Sequence, residues 1–367
     1  MSKLNELANV GQSVWLDFIS RKLLTSGELI KYREMGLRGM TSNPTIFDKA
    51  ISKSNDYDED INELIRKGLS VEEIYEKLAI KDIGIAADEM RKVYTETDGL
   101  DGYISIEVNP LLANNTDETI KQAKHLFKEL GRPNIMIKIP GTEEGLPAIT
   151  EVLGSGINVN VTLIFSTESY RKVVEAFMAG LEKYDAAGGD ISKHASVASF
   201  FVSRVDTAVD KELEAKANKD LQGKIAVANS KIAFEISEEM FSSERWQRLE
   251  AKGARKQRLL WASTSTKNPD YYDLLYVDTL IGPDTVNTMP PETIKAFINH
   301  GNIKSTLGQG IDEAKAHLNN LKELGIDINK ITDKLLKEGV KSFSDSFKSL
   351  LDSLDSKVKK IKQEVSL

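Results

Sequence analysis

Four extended segments carry polar or ionisable side chains where an ordinary buried strand would carry apolar ones. In Asn134-Ile135-Met136-Ile137-Lys138-Ile139 alternate side chains face opposite ways, so Asn134, Met136 and Lys138 share one face and three isoleucines the other. Val14-Trp15-Leu16-Asp17-Phe18-Ile19 sets a carboxylate among large apolar residues, where an unpaired charge is costly to bury. Tyr103, Ser105 and Glu107 oppose Ile104, Ile106 and Val108, and Asn158, Asn160 and Thr162 oppose Ile157, Val159 and Val161 in the same phase. The shared phase predicts one polar interior common to four strands, with Lys138 near the C-terminal end of its own. Enclosure with few compensating charges disfavours a lysine's ammonium form and makes the neutral amine accessible near pH 7. A neutral amine attacks carbonyls, and the protonated imine it forms is an electron sink for a carbanion on the neighbouring carbon. Asp17 or Glu107 would then move the protons. The competing expectation is a satisfied polar layer without chemistry, with Lys138 snorkelling from a strand end.

Short β-branched runs alternate with longer helical patterns, the rhythm of βα units on a parallel sheet. Eight strands are expected: Val14 to Ile19, Leu37 to Met40, Gly102 to Val108, Asn134 to Ile139, Gly156 to Val161, His194 to Phe200, Arg258 to Ala262 and Asp273 to Val277. Helical segments lie between them, such as Glu118 to Leu130, stopped by Gly131 and Pro133. The reading is an α/β protein forming a single (β/α)8 barrel domain over 1–367, with Lys138 at the end where such barrels present catalytic groups. A barrel needs about 250 residues, so roughly 100 of the 367 are decoration. Residues 205–256, rich in Lys, Glu and Ala with no Pro, are expected to form surface helices inserted between strands six and seven. From residue 342 to 367 a C-terminal helix is expected, its stripe of Phe343, Phe347, Leu350, Leu351, Leu354, Val358 and Ile361 docked on the barrel or, alternatively, on a partner helix.

Composition narrows the chemistry. With 40% hydrophobic and 29% charged residues the chain is an ordinary folded one, and its net charge of -7 disfavours non-specific binding to nucleic acid or an anionic membrane. The absence of Cys removes disulfides, thiolate metal sites and cysteine nucleophiles. His125, His194, His300 and His317 show no ligand spacing, so no metal is expected and the chemistry falls to Lys, Asp, Glu and hydroxyls. The polar residues of MSKLNELANVGQSVWLDF interrupt any signal-peptide core, and no run approaches the ~18 apolar residues of a membrane span. A cytoplasmic protein is expected.

The segments RGMTSNPTIF (38–47), IEVNP (106–110), IMIKIPGT (135–142), INVNVTLIFS (157–166) and SFFVSRVD (199–206) resemble transaldolase motifs, in transaldolase order, over roughly residues 13–300. LLWASTSTKNP and LIGPDTVNTMP resemble the longer bacterial subfamily. The resemblance implies ping-pong transfer of a dihydroxyacetone unit from fructose 6-phosphate to erythrose 4-phosphate, giving sedoheptulose 7-phosphate and glyceraldehyde 3-phosphate, with no cofactor. It implies that Lys138 is the Schiff-base lysine and that Asp17 takes the C4 hydroxyl proton. Glu107 and Thr162 would hold the water moved during imine formation, Asn43 and Asn160 the bound sugar, and Ser199 and Arg204 the phosphate. Each has a plainer rival: Asn43 as a turn residue, Arg204 paired with Asp206, Thr162 as a cap, Ser199 as packing.

Two positions depart from the pattern. Shorter relatives place a basic residue two positions after the Ser that follows strand seven, whereas here Ser263 is followed by Thr264, Ser265, Thr266 and Lys267. Lys267 is expected to be the second basic phosphate ligand, with Ser263 a neutral donor. Asn109 stands where an acidic residue is frequent. Residues 263–290 and the C-terminal helix are candidates for covering the mouth of the site. The rivals are a fructose 6-phosphate aldolase, often with Tyr in place of Phe165 or Phe201, and a non-catalytic sugar-phosphate-binding barrel. Sugar phosphates are the expected partners, the chain acting as monomer or homodimer.

Overall fold

The computed structural model describes residues 2–365; Met1 and the last two residues of the expected tail, Ser366 and Leu367, lie outside the described residues. The strands are β1 Gln12–Asp17, β2 Gly39–Thr41, β3 Ile104–Glu107, β4 Ile135–Pro140, β5 Val159–Ile164, β6 Ser196–Phe201, β7 Arg258–Ala262 and β8 Thr285–Met289. Each pairs in parallel with the next and β8 closes on β1, so the sheet is a complete barrel. Covered on both faces, these strands are buried nearly throughout, as parallel strands under helices must be. Ile135, Ile137 and Ile139 are fully buried on one side of β4, and Lys138 emerges on the other.

Seven strands lie within three residues of their expected bounds; the eighth does not. Asp273 to Val277 belongs instead to a segment with a short helix, Leu275–Asp278, and β8 is twelve residues further on at Thr285. The reason is visible in the burial: Leu274, Val277 and Ile281, with Tyr276 and Leu280, recur at helical spacing and are buried together. Tyr276 also donates to Asp206 Oδ2 at 2.9 Å, fixing the segment to the helix after β6. The true β8, Thr-Val-Asn-Thr-Met, has only two apolar residues; its buried Asn287 accepts from the Thr264 hydroxyl through Oδ1 at 2.8 Å, while its Nδ2 has no hydrogen-bond partner in the protein.

Residues 205–256 hold the helices Ser203–Ala215, Ile225–Met240 and Glu244–Glu250. They are less superficial than their charge suggests: Val205, Val209, Leu213, Ile225 and Ala233 are fully buried, so the charged faces lie outside an apolar seam. The C-terminal helix runs from Ile328 to Val365, starting well before residue 342. Thr332 and Gly339 break the apolar pattern in its first half, yet both are buried in line with Leu335 and Phe343. At Gly339 an added Cβ would lie 3.0 Å from Leu163, so the small residue admits the helix to the barrel rim. Beyond it Phe343, Phe347, Leu350, Leu354, Val358 and Ile361 are buried against this chain's own helices, Phe347 meeting Tyr75 edge-on at 5.5 Å. Lys357 pairs with Asp58 at 2.6 Å near the far end. The floor of the barrel is closed by Arg258, which holds Asp101 at 2.7 Å and Ser13 at 3.0 Å. No helix among the described residues is long and apolar enough to cross a membrane.

Candidate active site

Parallel register brings the polar phase of the strands into one layer. Glu107 lies beside Lys138, Lys138 beside Asn160, and Thr162 beside Pro140 one step higher. The Lys138 side chain is buried, with its Nζ donating to the Ser42 carbonyl at 3.3 Å and standing 3.7 Å from Glu107 Oε2. The ring of Phe343, from the C-terminal helix, covers it at 5.6 Å from Nζ. Compensating charges are closer than the sequence implies, because both Glu107 and Asp17 act on this lysine. Burial pushes the Glu107 carboxyl up to about 7, with Lys138 pulling against it and Asp17 adding to it. Neither carboxylate oxygen of Glu107, nor the Thr162 hydroxyl, has a hydrogen-bond partner in the protein, although all three are buried.

Asp17 ends β1, at the cavity wall. Burial raises its carboxyl above the usual range, opposed first by Lys138 and then by the Thr41 hydroxyl, which donates to Oδ1 at 2.7 Å. Thr41 Oγ1 also lies 2.7 Å from Thr288 Oγ1; its proton is committed to Asp17, so Thr288 is the donor there. Asn43 caps the helix Pro44–Ser52, Oδ1 accepting from Ile46 N at 3.0 Å, which leaves its Nδ2 as the group available to a ligand. The turn role and the cavity-facing position thus coexist. Asn160 is fixed by a chain of hydrogen bonds, donating to Ser105 Oγ at 3.0 Å and accepting from Ser199 at 2.7 Å.

A cavity of about 430 Å³ opens above this layer, walled by Asp17, Asn43, Lys138, Thr162, Ser199, Arg204, Ser263 and Lys267 among others. Eight of the ten expected site residues therefore face one space; Asn160 and Glu107 support it from behind. Arg204 does not pair with Asp206, which turns away to accept from Ala226 N at 2.7 Å and from Tyr276. The Arg204 guanidinium stands instead over the Phe201 ring at 5.4 Å, with no carboxylate in salt-bridge reach among the described residues. Lys267 faces the same space, its Nζ donating to Ser265 Oγ at 2.7 Å. Desolvation first, and then the nearby Arg204, lower the Lys267 ammonium below its usual range. Arg204 and Lys267 thus face the same cavity, where Glu292 also lines the wall and its carboxylate acts against that lowering of Lys267. Ser263 sits between them and the barrel in a left-handed conformation, φ 56°, its hydroxyl 2.9 Å from Ser203.

Several participants have no forecast in the sequence. Thr41 lies in the TSNP segment but carries no periodic signal, and Thr288 is hidden together with the eighth strand. By contrast, Phe343 of the expected apolar stripe and Ser265 of the expected covering segment 263–290 both line the cavity.

The family model described as Transaldolase/Fructose-6-phosphate aldolase matches residues 14–354. The chain is 50% identical to a protein named transaldolase from Trichodesmium erythraeum, over 98% of each chain. It is 48% identical to transaldolase 2 of Nostoc sp., again over 98% of each, and 49% identical to a transaldolase of Thermobifida fusca over 96% of this chain and 97% of that one. Matched by that family model from residue 14 to 354 and by relatives over nearly their whole length, this chain belongs to the transaldolase/fructose-6-phosphate aldolase family.

Proposed function

We propose that the protein is a cofactor-independent transferase that moves a dihydroxyacetone unit from a ketose phosphate, fructose 6-phosphate or sedoheptulose 7-phosphate, to an aldose phosphate through a Schiff base on Lys138. The observation that carries this reading is the position of Lys138 Nζ, enclosed under Phe343 and 3.7 Å from Glu107. The amine adds to the C2 carbonyl of the ketose, and the carbinolamine loses its hydroxyl as water with a proton supplied by Glu107, Thr162 holding that water. Asp17 then takes the C4 hydroxyl proton, the C3–C4 bond breaks, and its electron pair passes into the iminium to give an enamine. The first aldose phosphate leaves, and the enamine attacks the carbonyl of the second while Asp17 returns the proton. Asn43 and Asn160 hold the sugar chain; Arg204, Lys267, Ser199 and Ser263 hold the phosphate.

Transfer requires that water not reach the enamine before the acceptor does. Phe343 over the lysine and Phe201 in the cavity wall supply apolar cover, and the near-full-length likeness to proteins named transaldolase favours transfer over simple aldol cleavage. Because Phe343 comes from the C-terminal helix, barrel and tail are proposed to work as one domain. The place of action is the non-oxidative pentose phosphate pathway in the cytoplasm, with the chain a monomer or homodimer. Product analysis with and without erythrose 4-phosphate tests the reading. Sedoheptulose 7-phosphate formed only with the acceptor is expected; steady release of free dihydroxyacetone at the same rate without it would make the protein an aldolase.

A further inference from the structure

The substrate cavity is not the only space beside the proposed chemistry. β2 and β3 pair through one residue pair only, Met40 with Ile104, and β2 ends at Thr41 while β3 runs on to Glu107. Above Ser105, whose carbonyl accepts from the Ser42 hydroxyl at 2.8 Å, no further residue pair joins these two strands. Behind the point where they part lies a second cavity of about 90 Å³, between the helices Val71–Glu96 and Thr116–Leu130 and beneath Phe347. Glu107 stands in its wall, together with Tyr75, Ala79, Asn109 and Gln122. Its rim carries Glu72, which is exposed, and Glu76, whose carboxylate meets His125 at 2.8 Å on the surface. A water needs roughly 10–15 Å³ of such space and two to four polar partners, and the cavity has the volume and the polar lining for it.

The chemistry gives the space a use. Forming the imine expels one water and hydrolysing it consumes one, while the sugar phosphate fills the front cavity and Phe343 covers Lys138. Water leaving by the front would have to pass the bound sugar. We propose that the cavity behind β3 is a separate port through which water and protons reach Glu107, with Tyr75 a positioning residue on its wall. Resting on the Schiff-base reading above, the step balances: Glu107 gives a proton to the carbinolamine hydroxyl, the C–O bond breaks, and the nitrogen lone pair forms the iminium. Water departs into the port, and Glu107 is reprotonated from it. The burial that raises the Glu107 carboxyl keeps it a competent acid near neutrality.

The test uses the full chain with Ala79→Leu, which fills the port, and Tyr75→Phe, which keeps its volume and removes its hydroxyl. Imine formation is followed by rapid quench with borohydride in the presence of fructose 6-phosphate, and water passage by loss of the C2 oxygen to ¹⁸O-labelled water. Ala79→Leu is expected to slow both by about ten-fold or more, part of the ~10²–10⁴-fold that positioned proton transfer contributes, with unchanged KM. Tyr75→Phe is expected to slow them by a few-fold and to shift the pH profile of the imine step; should the leucine variant fail to fold, this variant decides. Adduct formation and oxygen exchange at wild-type rates in the folded variants overturn the port alone. Absence of any adduct in the wild-type protein overturns the active-site reading and the port together.

Discussion

Removing the Lys267 side chain tests whether the dicationic corner is the phosphate site and whether its second cation has moved along the chain. A charge-assisted hydrogen bond contributes about 1.5–3 kcal/mol, or roughly 10- to 150-fold. Lys267 is exposed, so the lower end applies, whereas the half-buried Arg204, stacked on Phe201, belongs at the upper end. Lys267→Ala should lower kcat/KM for fructose 6-phosphate about 10-fold and Arg204→Ala about 100-fold. Neither should change any activity on fructose, which has no phosphate to bind. Ser265 lies within hydrogen-bond reach of Lys267 Nζ, so an arginine at 265 points into the same corner. Lys267→Ala combined with Ser265→Arg should therefore recover most of the loss. Steady-state rates on both sugars, with inhibition by inorganic phosphate as an independent measure of anion affinity, provide the assay. Equal losses on fructose and fructose 6-phosphate, or no loss in either single variant, would refute the assignment.

Three further outcomes are expected. Asp17→Asn keeps the shape of the site but removes the base, so it should lower kcat by ~10²–10⁴ while still forming a trappable imine; rapid-quench rates for the two steps separate them. Phe343→Ala uncovers Lys138 and should raise the release of dihydroxyacetone in the absence of acceptor, at a stability cost of about 2–3 kcal/mol, below the 3–5 of a fully packed phenylalanine, measured by urea unfolding. Burial pushes the Asp206 carboxyl from 3.8 up to about 7, so the folded state holds its proton more tightly than the unfolded chain; the favourable contribution is full below 3.8 and is lost as pH rises through about 7. Asp206→Asn should accordingly gain stability relative to wild type as pH rises between those two values, by up to ~1.4 kcal/mol per pH unit, and an unchanged difference across that range in urea unfolding would argue against the burial.

The alternation of Asn134, Met136 and Lys138 against three isoleucines makes both the barrel and its reactive lysine legible, because a two-residue period and a parallel sheet leave few places for a buried amine. Asp17 and Glu107 follow from the same phase. What escapes is whatever depends on tertiary contact instead of period. β8 is hidden because a buried polar layer, Thr285, Asn287 and Thr288, lowers the apolar content of a strand, while the neighbouring Leu274 to Ile281 carries the stronger pattern at helical spacing. With β8 go Thr288 and the hydroxyl relay to Asp17. The C-terminal helix is readable only from about Phe343 onward because Gly339, which its approach to Leu163 requires, looks like a stop. The seam between β2 and β3 has no sequence signature at all; it is set by where two strands of unequal length part.

All of this depends on a covalent bond to one side chain. Borohydride reduction of the wild-type protein with fructose 6-phosphate, followed by peptide mass mapping, should leave a single reduced sugar adduct on the peptide carrying Lys138, and Lys138→Arg should carry none and turn nothing over. An adduct on any other lysine, or full activity in the arginine variant, would contradict the account.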